Sequence, residues 1–213
     1  MNRSSLTVTK ALIIICVVVH LVGMFRQVPI TPDYSVPLFF KLGAFSWHSF
    51  LEQGELWRII SYQFVHADIA HLVFNMWALF FFGPAIENIM GPRKFLAFYL
   101  ICGAAGALFS ALLGSTLLYT PYWSIIPMVG ASAAIYGVMI ATAFLYPHAR
   151  ISLMFPPVTL TMRAFALIVI GIATAVILFN GNNAGGEAGH LGGIIMGLLI
   201  MMIWKWRNRN RYY

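Results

Sequence analysis

The chain has 213 residues, of which 61% are hydrophobic and only 9% charged. A soluble domain carries about 25% charged residues, so that composition, with a mean hydropathy of +0.84, excludes an ordinary globular protein. The formal charge of +7 raises nucleic acid as a partner. However, the basic residues gather at the ends of apolar runs, where a membrane protein keeps its topology anchors.

In chain order, six runs approach or exceed the roughly 20 residues that cross a bilayer. They are 6–25, 69–89, 95–113, 128–146, 165–179 and 188–206. The first resembles a signal peptide in having Arg3 and Lys10 ahead of an apolar core. It lacks an Ala-x-Ala exit and leads into more apolar sequence, so it reads as a retained span. The segment Gln27–Val65 reads as a long first loop, aromatic through Phe39, Phe40, Phe45, Trp47, Phe50 and Trp57, and suited to partial insertion at the interface. Cys16 and Cys102 both lie inside spans and indicate no disulfide framework. With the N-terminus inside, ten of the thirteen Lys and Arg fall on cytoplasmic segments, leaving Arg26, Lys41 and Arg58 outside. Both termini are therefore expected in the cytoplasm, with residues 1–213 as a single membrane domain. The tail from Lys205 to Arg211 reads as an anchor near anionic headgroups, and no nucleic-acid partner is expected.

Within this plan, spans two, four and six run in the same direction and carry polar groups near their starts. Asp68 is placed to cap span two, with His71 in its first turn and Asn75 on the same side four residues on. Pro127 reads as the first helical residue of span four, with Ser132 five residues later and Tyr136 on the same side. Glu187 precedes His190 by one turn at the start of span six. At 1.5 Å per residue these groups share a depth of roughly 5–12 Å below one surface. Small residues line Ala133, Gly137 and Ala141 on span four and Gly189, Gly193 and Gly197 on span six. Such stripes let helix backbones approach closely in lipid, which would carry His190 towards Ser132 and set Tyr136 to stack on the imidazole.

A hydroxyl, an imidazole and several amide or imidazole donors meet the needs of peptide hydrolysis, which uses a nucleophile, a base and oxyanion donors. Ser132 is the expected nucleophile and His190 the general base and acid. The Ser132 backbone N–H, Asn75 and His71 are the expected oxyanion donors. With Glu187 the one acidic residue near this place in spans four to six, a dyad rather than a triad is expected. Each residue also has a bland reading. A membrane serine usually bonds a backbone carbonyl, Glu87 reads as structural beside Arg93 and Lys94, and His66 reads as a hydrogen-bonding strut of the first loop. The six histidines show no zinc-protease spacing, and neither metal nor other cofactor is expected.

These elements, in this order, resemble the rhomboid family of intramembrane serine proteases. The resemblance rests on Trp57-Arg58, His66-x4-His71-x3-Asn75, Gly130-x-Ser132 and Gly185-x3-Gly189-His190-x2-Gly193. It departs at Ala133, where the family's Gly-x-Ser-Gly has its second glycine. It implies an all-α fold, a six-transmembrane-helix rhomboid-like bundle with a long, partly helical first loop. It further implies a Ser-His dyad supported by Tyr136, His66, Gly130, Gly189 and Gly193. Its substrates would be transmembrane proteins, cut near the outer face at a helix that unwinds readily. The minimal six-span plan suits a bacterial inner membrane. Residues Ser115–Pro127 are expected to cap a wet cavity from outside, and Asn180–Gly186 to act as a cap or gate. The alternatives are an inactive relative that binds or escorts membrane helices and a small transporter. The almost wholly apolar cytoplasmic halves of spans four to six speak against the transporter.

Overall fold

The computed structural model describes residues 7–31, 34–116, 127–152, 157–179 and 183–208. Helix α1 (Val8–Phe25) leads into an antiparallel ribbon of β1 (Gln27–Thr31) and β2 (Tyr34–Pro37). The rest of the first loop holds α2 (Leu38–Gly43), a π-helical turn at His48–Glu52, α3 (Arg58–Ser61) and a 3-10 turn at Tyr62–Phe64. Then come α4 (Ile69–Met90), α5 (Pro92–Thr116) and α6 (Ser132–Leu145). A second ribbon, β3 (Arg150–Ser152) with β4 (Thr159–Thr161), joins α6 to α7 (Met162–Leu178), and α8 (Ala184–Asn208) follows. The chain is an all-α, multi-pass integral membrane protein. Helices α1, α4, α5 and α8 are long and apolar enough to cross a bilayer, while α6 and α7 are shorter apolar helices.

The expected fourth span, 128–146, is corrected. Its helix begins at Ser132, and Met128 instead pairs with Phe45 of the first loop, each N–H donating to the other's carbonyl at 2.9 and 2.6 Å. Gly130 then donates to the Tyr62 carbonyl at 3.0 Å. Its φ of +117° lies outside the right-handed helical region. Pro127 therefore starts an extended lead-in rather than a helix. The third, fifth and sixth spans start three or four residues earlier than expected, at Pro92, Met162 and Ala184.

Helix α8 packs against both α5 and α6 on small residues. A Cβ at Gly197 would lie 2.8 Å from the Gly137 carbonyl oxygen, and one at Gly193 would overlap that of Ala133. Where hydrophobicity cannot drive helices together, such backbone contact supplies the association. Helix α1 is held differently. The buried Glu87 carboxylate of α4 accepts from the N–H groups of Val8 (2.7 Å) and Thr9 (2.9 Å) and from the Thr9 hydroxyl (2.6 Å). It thereby satisfies donors that a helix start leaves unpaired, rather than answering Arg93 and Lys94. The first loop is a packed unit. Phe45 is buried against Phe50 and Tyr62 instead of facing an interface. The buried Arg58 donates to Glu55 at 2.5 Å and to the Ala44 carbonyl at 2.7 Å.

Candidate active site

Three helix starts converge. Asp68 caps α4, its side chain accepting from the His71 N–H at 2.8 Å, which sets His71 and Asn75 one turn apart. Ser132 is the first residue of α6, and Ala131 before it makes no side-chain cap; a helix start leaves its first N–H groups without partners inside the helix and carries a positive dipole end. Ser110 of α5 steadies the first turn of α8 by donating to the Gly185 carbonyl at 2.8 Å.

Ser132 Oγ lies 2.8 Å from His190 Nε2, and His190 Nδ1 lies 2.9 Å from Glu187 Oε2. An ionised carboxylate can only accept, so Nδ1 carries the ring proton and donates it to Glu187. The Nε2 lone pair is then left to accept from the Ser132 hydroxyl. Tyr136 lies flat on the imidazole, with ring centroids 4.1 Å apart and planes within 6°. Ser132, His190 and Tyr136 open on a cavity of about 340 Å³ also lined by His71, Phe74, Asn75, Ala78, Ile135 and Met139. Its lining mixes polar and apolar side chains, with room for several waters or a small side chain.

Asn75 and His71 flank the cavity. The Asn75 amide donates one N–H to the His71 carbonyl at 2.8 Å and retains a second. The His71 ring packs beside Gly130, where a Cβ would come within 2.7 Å of it. Both that crowding and the positive φ require glycine there. The expected strut role of His66 is corrected. The residue is buried, and neither ring nitrogen makes a well-formed hydrogen bond. It packs edge-on to His71 at 5.2 Å. Burial pushes its pKa down to about 3, His71 and His20 adding to the effect, with the Phe64 backbone and Asp68 opposing.

Gly193 lies against Ala133, whereas Gly189 faces Met128 and the Gly106 backbone. The methyl of Ala133 points at Gly106, where a second methyl would sit at 2.5 Å. A glycine on α5 thus makes room for the alanine that departs from the rhomboid pattern. Sequence reasoning missed this pairing because the two residues are distant in the chain. It also set Glu187 aside, although the three-residue spacing to His190 is a same-face spacing. Among the described residues, His, Cys, Asp and Glu nowhere gather into a group able to hold a metal. The expected outer cap at 115–127 lies largely outside the described residues, as do 180–182 of the expected gate.

A multi-pass helical membrane protein with a serine hydroxyl hydrogen-bonded to an imidazole at an open cavity between its helices is the class these observations define. Residues 53–207 match the Rhomboid domain, and the chain belongs to the rhomboid family. It is 34% identical over 150 residues to rhomboid protease GluP of Bacillus subtilis, covering 70% of this chain and 26% of that protein. Rhomboid protease AarA of Providencia stuartii is 35% identical over 155 residues, 69% of this chain and 55% of the relative. Inactive RHOMBOID-like protein 8 of Arabidopsis thaliana is 30% identical over 98 residues, 46% of this chain and 25% of its own length. The chain thus spans between a quarter and just over half of these relatives.

Proposed function

We propose that this chain is an intramembrane serine endopeptidase that cuts transmembrane segments of other membrane proteins, with Ser132 as nucleophile and His190 as general base and then acid. The reading is carried by the 2.8 Å contact between Ser132 Oγ and His190 Nε2 at an open cavity between the helices of an apolar bundle. As Oγ attacks a scissile carbonyl carbon, its proton passes to Nε2 and the carbonyl electrons move onto oxygen. The Ser132 backbone N–H, Asn75 and His71, which line the same cavity, would donate to that oxyanion, each such donor being worth about 3–4 kcal/mol. When the intermediate collapses, the C–N bond breaks and the imidazolium protonates the leaving amine. Water, deprotonated by the same imidazole, then cleaves the acyl-serine ester and regenerates Ser132.

The substrate must present an unwound peptide bond, because a helical one hides its carbonyl from attack. In this reading, residues 1–213 form one domain with both termini in the cytoplasm of a bacterial inner membrane, and cutting takes place towards the outer face. The relatives that are proteases support it. The inactive relative makes a helix-binding escort the reading to be tested against it.

The test is labelling of detergent-solubilised protein with a fluorophosphonate, alongside cleavage of a single-span protein in proteoliposomes. Wild type is expected to label and cleave, Ser132→Ala and His190→Ala to do neither, and Asn75→Ala to retain part of the activity. Labelling that persists without Ser132 would remove the nucleophile assignment. Wild type that neither labels nor cleaves, while still retaining a membrane helix, would establish the escort.

A further inference from the structure

We propose that Glu187 is a positioning residue for His190, so that the hydrolytic unit has three members rather than two. The inference rests on the protease reading above and concerns how that site holds its base. Three observations carry it. Glu187 Oε2 lies 2.9 Å from His190 Nδ1, while Nε2 of the same ring lies 2.8 Å from Ser132 Oγ. The carboxylate, ring and hydroxyl are therefore linked in sequence through the two nitrogens of one imidazole. The Glu187 and His190 side chains are only 18% and 13% exposed, so their attraction is screened less than at an open surface. Among the described residues, Glu187 forms no ion pair with Lys or Arg.

The bond to Glu187 does three things for the base. It keeps the ring proton on Nδ1, leaving the Nε2 lone pair to face the serine. It fixes the edge of the ring whose face Tyr136 covers at 4.1 Å, which removes both tilt and flip. It also places negative charge beside the imidazolium that forms when Ser132 gives up its proton. The competing explanation is that Glu187 only answers the positive end of α8, whose first turn it occupies. That role would affect the stability of the helix and leave the chemical step alone.

Glu187→Gln keeps the size of the side chain and removes its charge. Its amide N–H₂ can also donate to Nδ1, which drives the ring proton onto Nε2, where it blocks the base. Kinetics on a single-span substrate in proteoliposomes should show kcat down about 10–100-fold with KM within about twofold. That is less than the roughly 10⁴-fold effect at a fully buried triad aspartate, because Glu187 retains some solvent. The fluorophosphonate inactivation rate should fall in parallel, with the melting temperature unchanged. Glu187→Ala serves as a second variant, expected to lower kcat by a similar factor whether or not it melts earlier. Glu187→Gln with wild-type kcat and inactivation rate overturns the proposal, as does a change confined to KM or melting temperature. If the variants match a wild type whose Ser132 does label, only the role of Glu187 is lost. If wild type itself does not label, the protease reading fails and the role of Glu187 with it.

Discussion

Gly193→Ala tests how helix packing sets the distance between Ser132 and His190. A Cβ at 193 would overlap the Ala133 carbonyl oxygen and stand 3.2 Å from Ala133 Cα. Those are backbone atoms, which cannot rotate aside. Gly193 is three residues past His190, and Ala133 follows Ser132, so the clash falls next to the hydrogen-bonded Ser132–His190 pair. Restoring an ordinary contact moves α8 away from α6 by more than ~1 Å. The hydrogen bond between Ser132 and His190, now 2.8 Å, would then lengthen towards ~4 Å, beyond hydrogen-bond reach. A misplacement of about 1 Å costs about 100-fold in rate, or ~2.7 kcal/mol in the barrier. The assay is the second-order rate of fluorophosphonate labelling in micelles, with Gly171→Ala as control because a Cβ there meets nothing within 4 Å. The control should label at the wild-type rate and Gly193→Ala about 100-fold more slowly. Gly193→Ala labelling within twofold of wild type would refute the claim that this contact sets the distance.

Removing the carboxylate of Glu87 by Glu87→Ala should undock the start of α1 at a cost of roughly 3 kcal/mol or more, since three hydrogen bonds to a charged acceptor are lost. Amide hydrogen exchange at residues 8–12 should accelerate, and unchanged exchange would count against the cap. His66 bears on pH. A released first loop would bind a proton at the ordinary histidine pKa of 6.5, whereas the docked ring takes one only near 3. Docking is therefore undiminished above pH 6.5 and weakens by about 1.4 kcal/mol per pH unit between those values. At pH 5 docking should be weaker than at pH 7 by about 2 kcal/mol in wild type but not in His66→Phe, read as a lower denaturant midpoint for loop release followed by tryptophan fluorescence, and identical shifts would sink the argument.

Much of the fold was legible because local rules governed it. Asp68 marks the start of α4 by the ordinary chemistry of a helix cap, and the four longest helices follow from apolar length. The start of α6 was misread because Pro127 has two local meanings, and a distant residue, Phe45, decides between them by pairing with Met128. The β1–β2 ribbon was overlooked although Pro32-Asp33, a turn-forming pair, separates Val28-Pro29-Ile30-Thr31 from Tyr34-Ser35-Val36. In the site, His71, Asn75, Ser132, Tyr136 and His190 stood out as polar residues at regular spacings in apolar runs. The partners of Glu87 and Ala133 did not, because each lies on another helix. Glu187 was readable from its spacing, but spacing alone does not show which way a carboxylate points.

The length of α7 has a consequence for the surrounding lipid. With 17 residues, and with Leu167, Ile168, Ile172 and Leu178 exposed, it rises about 25 Å, short of the ~30 Å hydrocarbon core of a bilayer. Acyl chains beside it must thin or bend to match, at a fraction of a kcal/mol for each ångström of mismatch. A foreign helix that drifts into this compressed rim emerges into headgroup and water about a turn earlier than elsewhere, where its own backbone hydrogen bonds already have competitors.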